Sequence, residues 1–374
     1  MTVTRRDLLK QGSCALLGSG LVGLRNKYVD EQSPSGLSTL GASCGMKVGI
    51  QASTGRFMQS VLGVFLKGNF DMITPPLKWQ SLRPSPDGYT FEEADTNFAY
   101  ASSNRLAVHG HNLCWNASNP KWLETALHKG NARDYLVDYI KTVAGRYKGK
   151  VDSWDVVNEP IGLWDKRSDG LREGPWINYL GPEYIDIAFQ TARDVDPTSL
   201  RTLNLNGCET QSSDGDKVRS ASLVLIKALL KRGVPIQAAA LESHIDGLWK
   251  PHYIPHADFI RALRDLGLVV YVSEFDVNDS TIPGSISQVK KVVSQSYANY
   301  LTEVLEAGAL QRLIFWSYTD LGNWYDAIAS TSTDPRWHVP AGRQHYPGLT
   351  DASYNVNPAY TAVRDTLAKY CTNR

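Results

Sequence analysis

A (β/α)8 TIM barrel of the α/β class is predicted for this chain of 374 residues, because short apolar runs alternate with longer segments of helical periodicity. Eight runs have the length and composition of buried parallel strands: Met46–Ile50, Phe70–Ile73, Leu106–Leu113, Val151–Val157, Arg201–Asn206, Ile236–Leu241, Leu268–Val272 and Arg312–Trp316. A doubly wound open sheet is the alternative, but neither GxGxxG nor GxxxxGK[ST] follows any run. The barrel is therefore favoured.

The segments between the runs have apolar residues at helical spacing. Two of them are Ala132–Tyr147 and Leu223–Arg232. Gly149, Gly233 and Gly267 follow helical patterns at the place where a left-handed residue commonly ends a helix. These signals predict helices that return the chain to the start of each next strand.

The N-terminal region is typical of an export signal. Arg5 and Arg6 form a twin-arginine pair, and a weakly hydrophobic run follows over Ser13–Leu24. We therefore predict a signal over residues 1–30, a polar linker over 31–45 and the barrel over 46–374. The expected partner is the twin-arginine (Tat) export machinery, and the expected location is the periplasm or beyond. Outside the signal the sequence contains no apolar stretch long enough to span a membrane, so no stable membrane partner is expected.

The charge balance argues against nucleic-acid binding. Lys plus Arg number 39 and Asp plus Glu 38, a net charge of +1, whereas nucleic-acid-binding proteins normally carry a basic excess. Cys44, Cys114, Cys208 and Cys371 show no CxxC spacing, so no metal site is predicted. Cys44 and Cys371 flank the barrel and are compatible with either a disulfide or free thiols. We expect a monomer without a cofactor.

Two carboxylates stand at the ends of predicted strands. One apolar run ends in Asn158-Glu159-Pro160, where the proline stops the strand, and another ends with Glu274. The carboxyl ends of all barrel strands meet at one face, where active sites of this fold lie. Glycoside hydrolysis uses such a pair, one carboxyl protonated for the leaving group and the other ionised. The two residues are therefore candidate catalytic groups.

At these motifs the chain resembles glycoside hydrolase family 10, the retaining endo-β-1,4-xylanases, over Met46 to Tyr370. Trp154–Pro160 reads WDVVNEP, like the motif that carries the family's acid/base, and Ser273–Asp276 resembles its T-E-[LF]-D nucleophile motif. The resemblance implies that Glu159 is the acid/base and Glu274 the nucleophile, with a polysaccharide as substrate.

Further motifs imply supporting roles. Asn158 lies beside the acid/base, and Asn206 is expected near it. His244, in a motif like L-Q-S-H, is expected to help Asp276 keep Glu274 ionised. The other positions carried over are expected to contact sugar: Lys78, His111, Trp115, Glu242, Trp316 and Trp324.

Several positions depart from the family pattern. Thr74–Trp79 is shorter than the family's strand-2 tip and lacks its Glu and Asn, which contact the sugar. Glu242 replaces a Gln and should raise the pKa of one of two neighbouring carboxyls by like-charge repulsion. The segment Tyr325–His345 carries several basic side chains and is a candidate lid or contact for an acidic sugar. The predicted substrate is therefore xylan or a xylan-like β-1,4-glycan. A bacterial exopolysaccharide with a β-1,4 backbone, or a catalytically weak glycan-binding barrel, remains an alternative.

Overall fold

A computed structural model describes residues 36–51 and 60–372 of the chain. The predicted signal over residues 1–30 lies outside the described residues, so it stays a prediction. Within the described ranges, none of the helices combines the length and the apolarity needed to cross a bilayer.

The strands are β1 (Lys47–Gln51), β2 (Met72–Thr74), β3 (Ala107–Trp115), β4 (Ser153–Asn158), β5 (Leu200–Leu205), β6 (Ala238–Leu241), β7 (His244–Asp246), β8 (Val269–Asn278) and β9 (Leu310–Phe315). The helices are α1 (Leu37–Ser43), α2 (Ser60–Asn69), α3 (Trp79–Leu82), α4 (Glu92–Asn104), α5 (Lys121–Ala126), α6 (Ala132–Arg146), α7 (Pro175–Leu180), α8 (Glu183–Val195), α9 (Ser213–Lys231), α10 (Ile254–Asp265), α11 (Ile286–Glu306), α12 (Trp324–Ala329) and α13 (Pro358–Cys371).

The sheet closes into the predicted barrel. Each neighbouring pair from β1 to β6 is parallel, β6 pairs with β8, β8 with β9, and β9 with β1. Closure is visible in the register, where Ala238 of β6 lies opposite Val269 of β8. The short β7 pairs with the end of β8 beyond the point where β6 stops. The barrel prediction is therefore confirmed.

Burial explains why the strands read as continuous apolar runs. All six residues of β4 are buried, because one face points into the barrel and the other against the surrounding helices. Gly110 of β3 lies opposite Trp154 of β4, and a Cβ at this glycine would overlap the indole ring. The three glycines predicted to end helices all have positive φ, between 72° and 82°.

The linker predicted over residues 31–45 is wrong in its second half. Residues 37–43 form α1, whose Leu37 and Leu40 are buried one turn apart against the core. The Leu37 N–H donates to Asn69 Oδ1 at 3.2 Å, at the end of α2. Small residues between the two leucines obscured the periodicity of so short a helix.

The two ends of the barrel domain are covalently joined. Cys44, directly after α1, forms a disulfide with Cys371 at the end of α13. Cys114 and Cys208 are buried free thiols. Of the two possibilities left open by the sequence, the structure therefore has the disulfide.

Candidate active site

Glu159 lies at the carboxyl-terminal tip of β4. Its N–H donates to the carbonyl oxygen of Asn204 on β5 at 2.9 Å, which extends the ladder by one residue beyond the strand. Its φ of 47° is in the left-handed region, which is unusual for a residue with a side chain. The carboxylate is 15% exposed and forms an ion pair with Arg172, from the loop that follows β4.

Glu274 lies within β8 and is 5% exposed. Asn204 Nδ2 donates to its Oε1 at 2.8 Å. His244 Nε2 lies 3.4 Å from its Oε2, and His111 Nδ1 lies 3.7 Å from its Oε1. Burial alone would raise the pKa of Glu274, but its interactions with the nearby His111, His244 and Lys78 outweigh burial and lower it. An ionised carboxylate is the form that a nucleophile requires.

Asp276, two residues further along β8, anchors the walls of the site. Four side chains donate to its fully buried carboxylate: His244 at 2.7 Å, Ser317 at 2.8 Å, Trp324 at 2.6 Å and Tyr325 at 2.6 Å. These bonds fix the orientation of the histidine and the tryptophan. Burial opposes protonation of His244, but the carboxylates of Asp276 and Glu274 outweigh it and raise its pKa to about 10. His244 is therefore a cation at neutral pH.

A second group of ionisable residues fills the barrel beneath the nucleophile. His109 Nε2 and His111 Nδ1 lie 3.0 and 2.9 Å from Asp155 Oδ2. Burial alone would raise the pKa of Asp155, but the two histidines lower it to about 2. His111, Asp155 and Glu274 have ligand atoms within 4.8 Å of one another, the spacing of a metal site. Because these atoms already pair with one another, we assign them to an ion-pair network that orients the nucleophile.

Asn204 is a site residue that the sequence reasoning missed. Besides its bond to Glu274, its Nδ2 lies 2.6 Å from Asn158 Oδ1, and its Oδ1 accepts from Ser273 at 2.7 Å. Its amide therefore ties the residue beside Glu159 to Glu274. Asn206, the residue predicted for a place near the acid/base, has a buried Oδ1 without a hydrogen-bond partner among the described residues. A polar residue at alternate spacing within a buried strand was the available signal for Asn204.

Aromatic rings lie against His111, His244 and Lys78. Trp316 packs edge-on against His111 with ring centroids 5.2 Å apart, and Trp324 lies 4.7 Å from the His244 ring. The Lys78 ammonium lies 4.9 Å from the centroid of the Trp115 ring. A cleft of about 320 Å³ is lined by Lys78, Trp316, Trp324 and neighbouring residues of the loop after β9. The sugar-contact residues predicted from the resemblance thus lie together, at the face that holds Glu159 and Glu274.

Two further carboxyls lie near the candidate catalytic pair. Burial and the charges of Glu274 and Glu209 raise the pKa of Glu242 well above its ordinary value. Burial likewise raises the pKa of Glu209, whose Oε1 accepts from the N–H of Gly207 at 3.2 Å. The like-charge repulsion expected from the sequence therefore falls on Glu242, and Glu274 stays ionised.

The basic side chains of the segment Tyr325–His345 are engaged within the protein. Arg343 donates to two backbone carbonyls at 2.7 Å, and His345 Nδ1 lies 2.5 Å from the buried Asp279. Arg336 pairs with Asp334, and His338 bonds the backbone of Ser332. These contacts favour a structural role over the predicted contact with an acidic sugar.

The comparisons with known proteins identify the family of the chain. The model of glycosyl hydrolase family 10 matches residues 36–366. The chain belongs to this family. It is accordingly an endo-1,4-β-xylanase-like glycoside hydrolase.

Individual relatives show the extent of the similarity. The β-1,4-xylanase of Dictyoglomus thermophilum is 31% identical over 305 residues, which cover 79% of this chain and 81% of the relative. Endo-1,4-β-xylanase B of Thermotoga neapolitana is 29% identical over 313 residues, which cover 82% of this chain and 84% of the relative. Among solved structures, xylanase 10B of Thermotoga maritima matches with a TM-score of 0.79 and 28% identity, over 91% of this chain and 100% of the other. Xylanase 10B of Thermotoga petrophila, solved in complex with xylobiose, matches with a TM-score of 0.78 and 27% identity. This match covers 91% of this chain and 99% of the other.

Proposed function

We propose that this protein is a retaining endo-β-1,4-glycanase that hydrolyses internal bonds of xylan or a xylan-like polysaccharide. The observation that carries the proposal is the pairing of two carboxyls of unlike environment at one face of the barrel. Glu274 is held ionised by cations, whereas Glu159 lies at a strand tip with 15% of its side chain exposed. The names of the relatives, and the xylobiose bound to one similar structure, support a xylose-based substrate.

The geometry supports a role for each carboxyl in the two steps of the reaction, formation and hydrolysis of a glycosyl-enzyme. Glu274 attacks the anomeric carbon while protonated Glu159 gives its proton to the leaving oxygen, and a covalent glycosyl-enzyme forms. Glu159 then takes a proton from water, which hydrolyses the intermediate with retention of configuration. Asn204 and His244 hold the two oxygens of Glu274 in place, so the nucleophile enters the reaction already oriented.

The strand-2 tip supports a second candidate substrate. Leu77 is fully buried, and its N–H donates to the carbonyl oxygen of His111 at 3.1 Å. This apolar tip replaces the Glu and Asn that the resemblance assigns to sugar contacts. A site without these donors and acceptors loses affinity for the hydroxyls they would bind. A bacterial exopolysaccharide with a β-1,4 backbone is therefore the second candidate.

The first experiment compares the two substrates directly. Release of reducing ends by the purified full-length protein is measured on xylan and on exopolysaccharide from the source organism, with Glu274→Ala as the blank. Rapid cleavage of xylan supports the first candidate, and cleavage of the exopolysaccharide alone supports the second. Binding of either polysaccharide without cleavage would contradict the hydrolase and favour a glycan-binding barrel.

The catalytic roles have their own test. The anomeric configuration of the first product is followed by NMR, and β-configured product from a β-linked substrate is expected. Azide is added to Glu274→Gly and to Glu159→Gly, because a small anion can enter the space that each side chain leaves. The first variant should form an α-glycosyl azide and the second a β-glycosyl azide. The opposite pattern would exchange the two roles.

We also propose export through the twin-arginine pathway. The disulfide between Cys44 and Cys371 supports an oxidising compartment, since such bonds are rare in reducing ones. Replacement of both Arg5 and Arg6 by Lys should retain the protein in the cytoplasm. Unchanged export of that variant would contradict the proposal.

A further inference from the structure

Arg172 occupies an unusual position beside the predicted acid/base. Its N–H donates to the carbonyl oxygen of Pro160 at 2.8 Å, which holds it close to the tip of β4. Its side chain is 20% exposed and forms the ion pair with Glu159. The guanidinium carbon lies 6.0 Å from the centroid of the Trp115 ring and 5.4 Å from that of Trp164. The Arg172 guanidinium thus lies near two aromatic rings and contacts the carboxylate of Glu159, the predicted proton donor.

This ion pair opposes the first catalytic step. A guanidinium in contact with a carboxylate favours its ionised form, whereas Glu159 must carry a proton to release the leaving group. Protonating Glu159 would remove the anion that Arg172 contacts. A partly buried cation without an anion is costly, so a replacement anion is needed when Glu159 takes up its proton.

The surrounding groups are poorly suited to supply that anion. Glu242, directly after β6, and Glu209, after β5, have raised pKa values because they are buried, which favours their neutral forms. The phenol of Tyr184 on α8 is also neutral, since burial raises its pKa. Glu274 is ionised, but it is engaged by His244, His111 and Asn204. Asp169 and Glu173 on the same loop pair with Arg167. Asp165 accepts from the N–H of Glu173. A group on the substrate remains the available source of negative charge.

We propose that Arg172 receives a carboxylate of the substrate, so that the protein acts on an acidic β-1,4-glycan with a uronic acid next to the cleaved bond. The position follows from the contact with Glu159: a residue that touches the acid/base lies within reach of sugars adjoining the glycosidic oxygen. The inference rests on the proposed hydrolase function and specifies its substrate class. Carboxylates bind a guanidinium through two parallel hydrogen bonds, and the flanking indole rings can contact the sugar's apolar face.

The exchange of partners also sets the protonation state. The substrate carboxylate takes the place of the Glu159 carboxylate on Arg172, and Glu159 takes up a proton from solvent. Arg172 keeps its positive charge, the bound sugar brings its own negative charge, and the proton from solvent neutralises Glu159. Binding of the acidic sugar therefore prepares the acid for the reaction.

The test compares two substrates that differ in charge. Xylo-oligosaccharides carrying glucuronic acid are used with their carboxyl-reduced counterparts, in which a primary alcohol replaces the carboxylate. The full-length wild type should cleave the acidic substrate with a kcat/KM at least about 10-fold higher, the size of one charge-assisted hydrogen-bonded contact. Arg172→Met should lose this preference, while Arg172→Lys should keep part of it.

A matched control lies on the same loop. Arg167 pairs with Asp169 and Glu173, and Arg167→Met removes a cation without touching Glu159. This variant should retain the preference for the acidic substrate. Equal kcat/KM on the two substrates, or an unchanged preference in Arg172→Met, would overturn the inference.

Calorimetry separates this inference from the proposed function. In the Glu274→Ala background, the acidic oligosaccharide should bind more tightly than its reduced form, with uptake of about one proton at pH 7. Adding Arg172→Met should abolish both differences. Equal binding of the two sugars, including no binding of either, overturns the role of Arg172. Failure of the wild type to cleave any β-1,4-glycan contradicts the hydrolase instead, whatever the calorimetry shows.

Discussion

The backbone N–H of Glu274 donates to the carbonyl oxygen of Glu242 at 3.0 Å, so two buried glutamates lie side by side, one on β8 and the other directly after β6. Two like charges this close do not both ionise readily. Cations and Asn204 surround Glu274, and its pKa is lowered, whereas the pKa of Glu242 is raised well above its ordinary value. The surroundings of the two glutamates therefore favour the ionised form of Glu274 and the neutral form of Glu242.

The raised pKa of Glu242 predicts a pH-dependent stability effect. Above the ordinary pKa of 4.5 an unfolded chain releases this proton while the folded chain retains it. The folded state then binds more protons, so the contribution of Glu242 to stability falls as the pH rises. In Glu242→Gln this loss is absent. The difference in free energy of unfolding, variant minus wild type, should therefore increase between pH 5 and pH 8.

Denaturant unfolding at several pH values measures this difference. Glu124→Gln is a suitable control, because Glu124 is exposed on α5 and its difference from wild type should stay flat with pH. A flat difference for Glu242→Gln as well would mean that Glu242 ionises normally in the folded protein.

The charge of His244 is expected to set the position of the acidic limb in the pH–rate profile. Its pKa of about 10 keeps it positively charged through the range in which Glu274 titrates, and that charge lowers the pKa of Glu274. His244→Gln removes the charge, so the acidic limb of kcat/KM should move to higher pH by about 1 unit. His128→Gln, at an exposed position, should leave the limb unchanged. An acidic limb that stays in place in His244→Gln would assign that limb to another group.

Replacement of Asn204 is expected to lower the catalytic rate while the protein still folds. Asn204→Leu keeps the approximate volume but removes the donor to Glu274 and the link to Asn158. A hydrogen bond to a charged group contributes about 1.5–3 kcal/mol, so kcat/KM should fall about 10- to 100-fold. Ser273→Ala should cost less, because the Ser273 hydroxyl contacts Asn204 and the Leu241 carbonyl and does not contact Glu274. Unchanged kinetics in Asn204→Leu, with the fold verified by circular dichroism, would exclude this role.

The fold and the two carboxylates could be predicted because their signals are local in sequence. Apolar runs bounded by helical patterns place the strands, and Pro160 directly after Glu159 marks a strand end. The barrel brings all strand ends to one face, so the proximity of Glu159 and Glu274 follows from topology.

Asn204 and Arg172 could not be predicted, because their partners depend on pairing between distant segments. Asn204 meets Glu274 through a register that joins β5 to β6 and β6 to β8. Arg172 reaches Glu159 through the path of an irregular loop, and no periodicity encodes that path. Helix α1 was missed for a different reason, since two leucines in seven residues make too short a pattern.

Removal of the disulfide is expected to have the largest effect on stability among the changes considered. Cys44 and Cys371 are separated by 327 residues, and closing so long a loop restricts the unfolded chain strongly. Replacing both cysteines by Ala should lower the free energy of unfolding by about 2–5 kcal/mol. The midpoint of denaturant unfolding, with and without reductant, measures the change.

Reductant provides the internal control for this prediction. It should destabilise the wild type to the level of the double variant and leave the double variant unaffected, because Cys114 and Cys208 are buried as free thiols. The loss should arise mainly from the unfolded state, since α1 also packs through Leu37 and Leu40. Activity at low temperature should accordingly survive in the double variant. Identical midpoints for oxidised and reduced wild type would show that the bond does not restrict the unfolded chain.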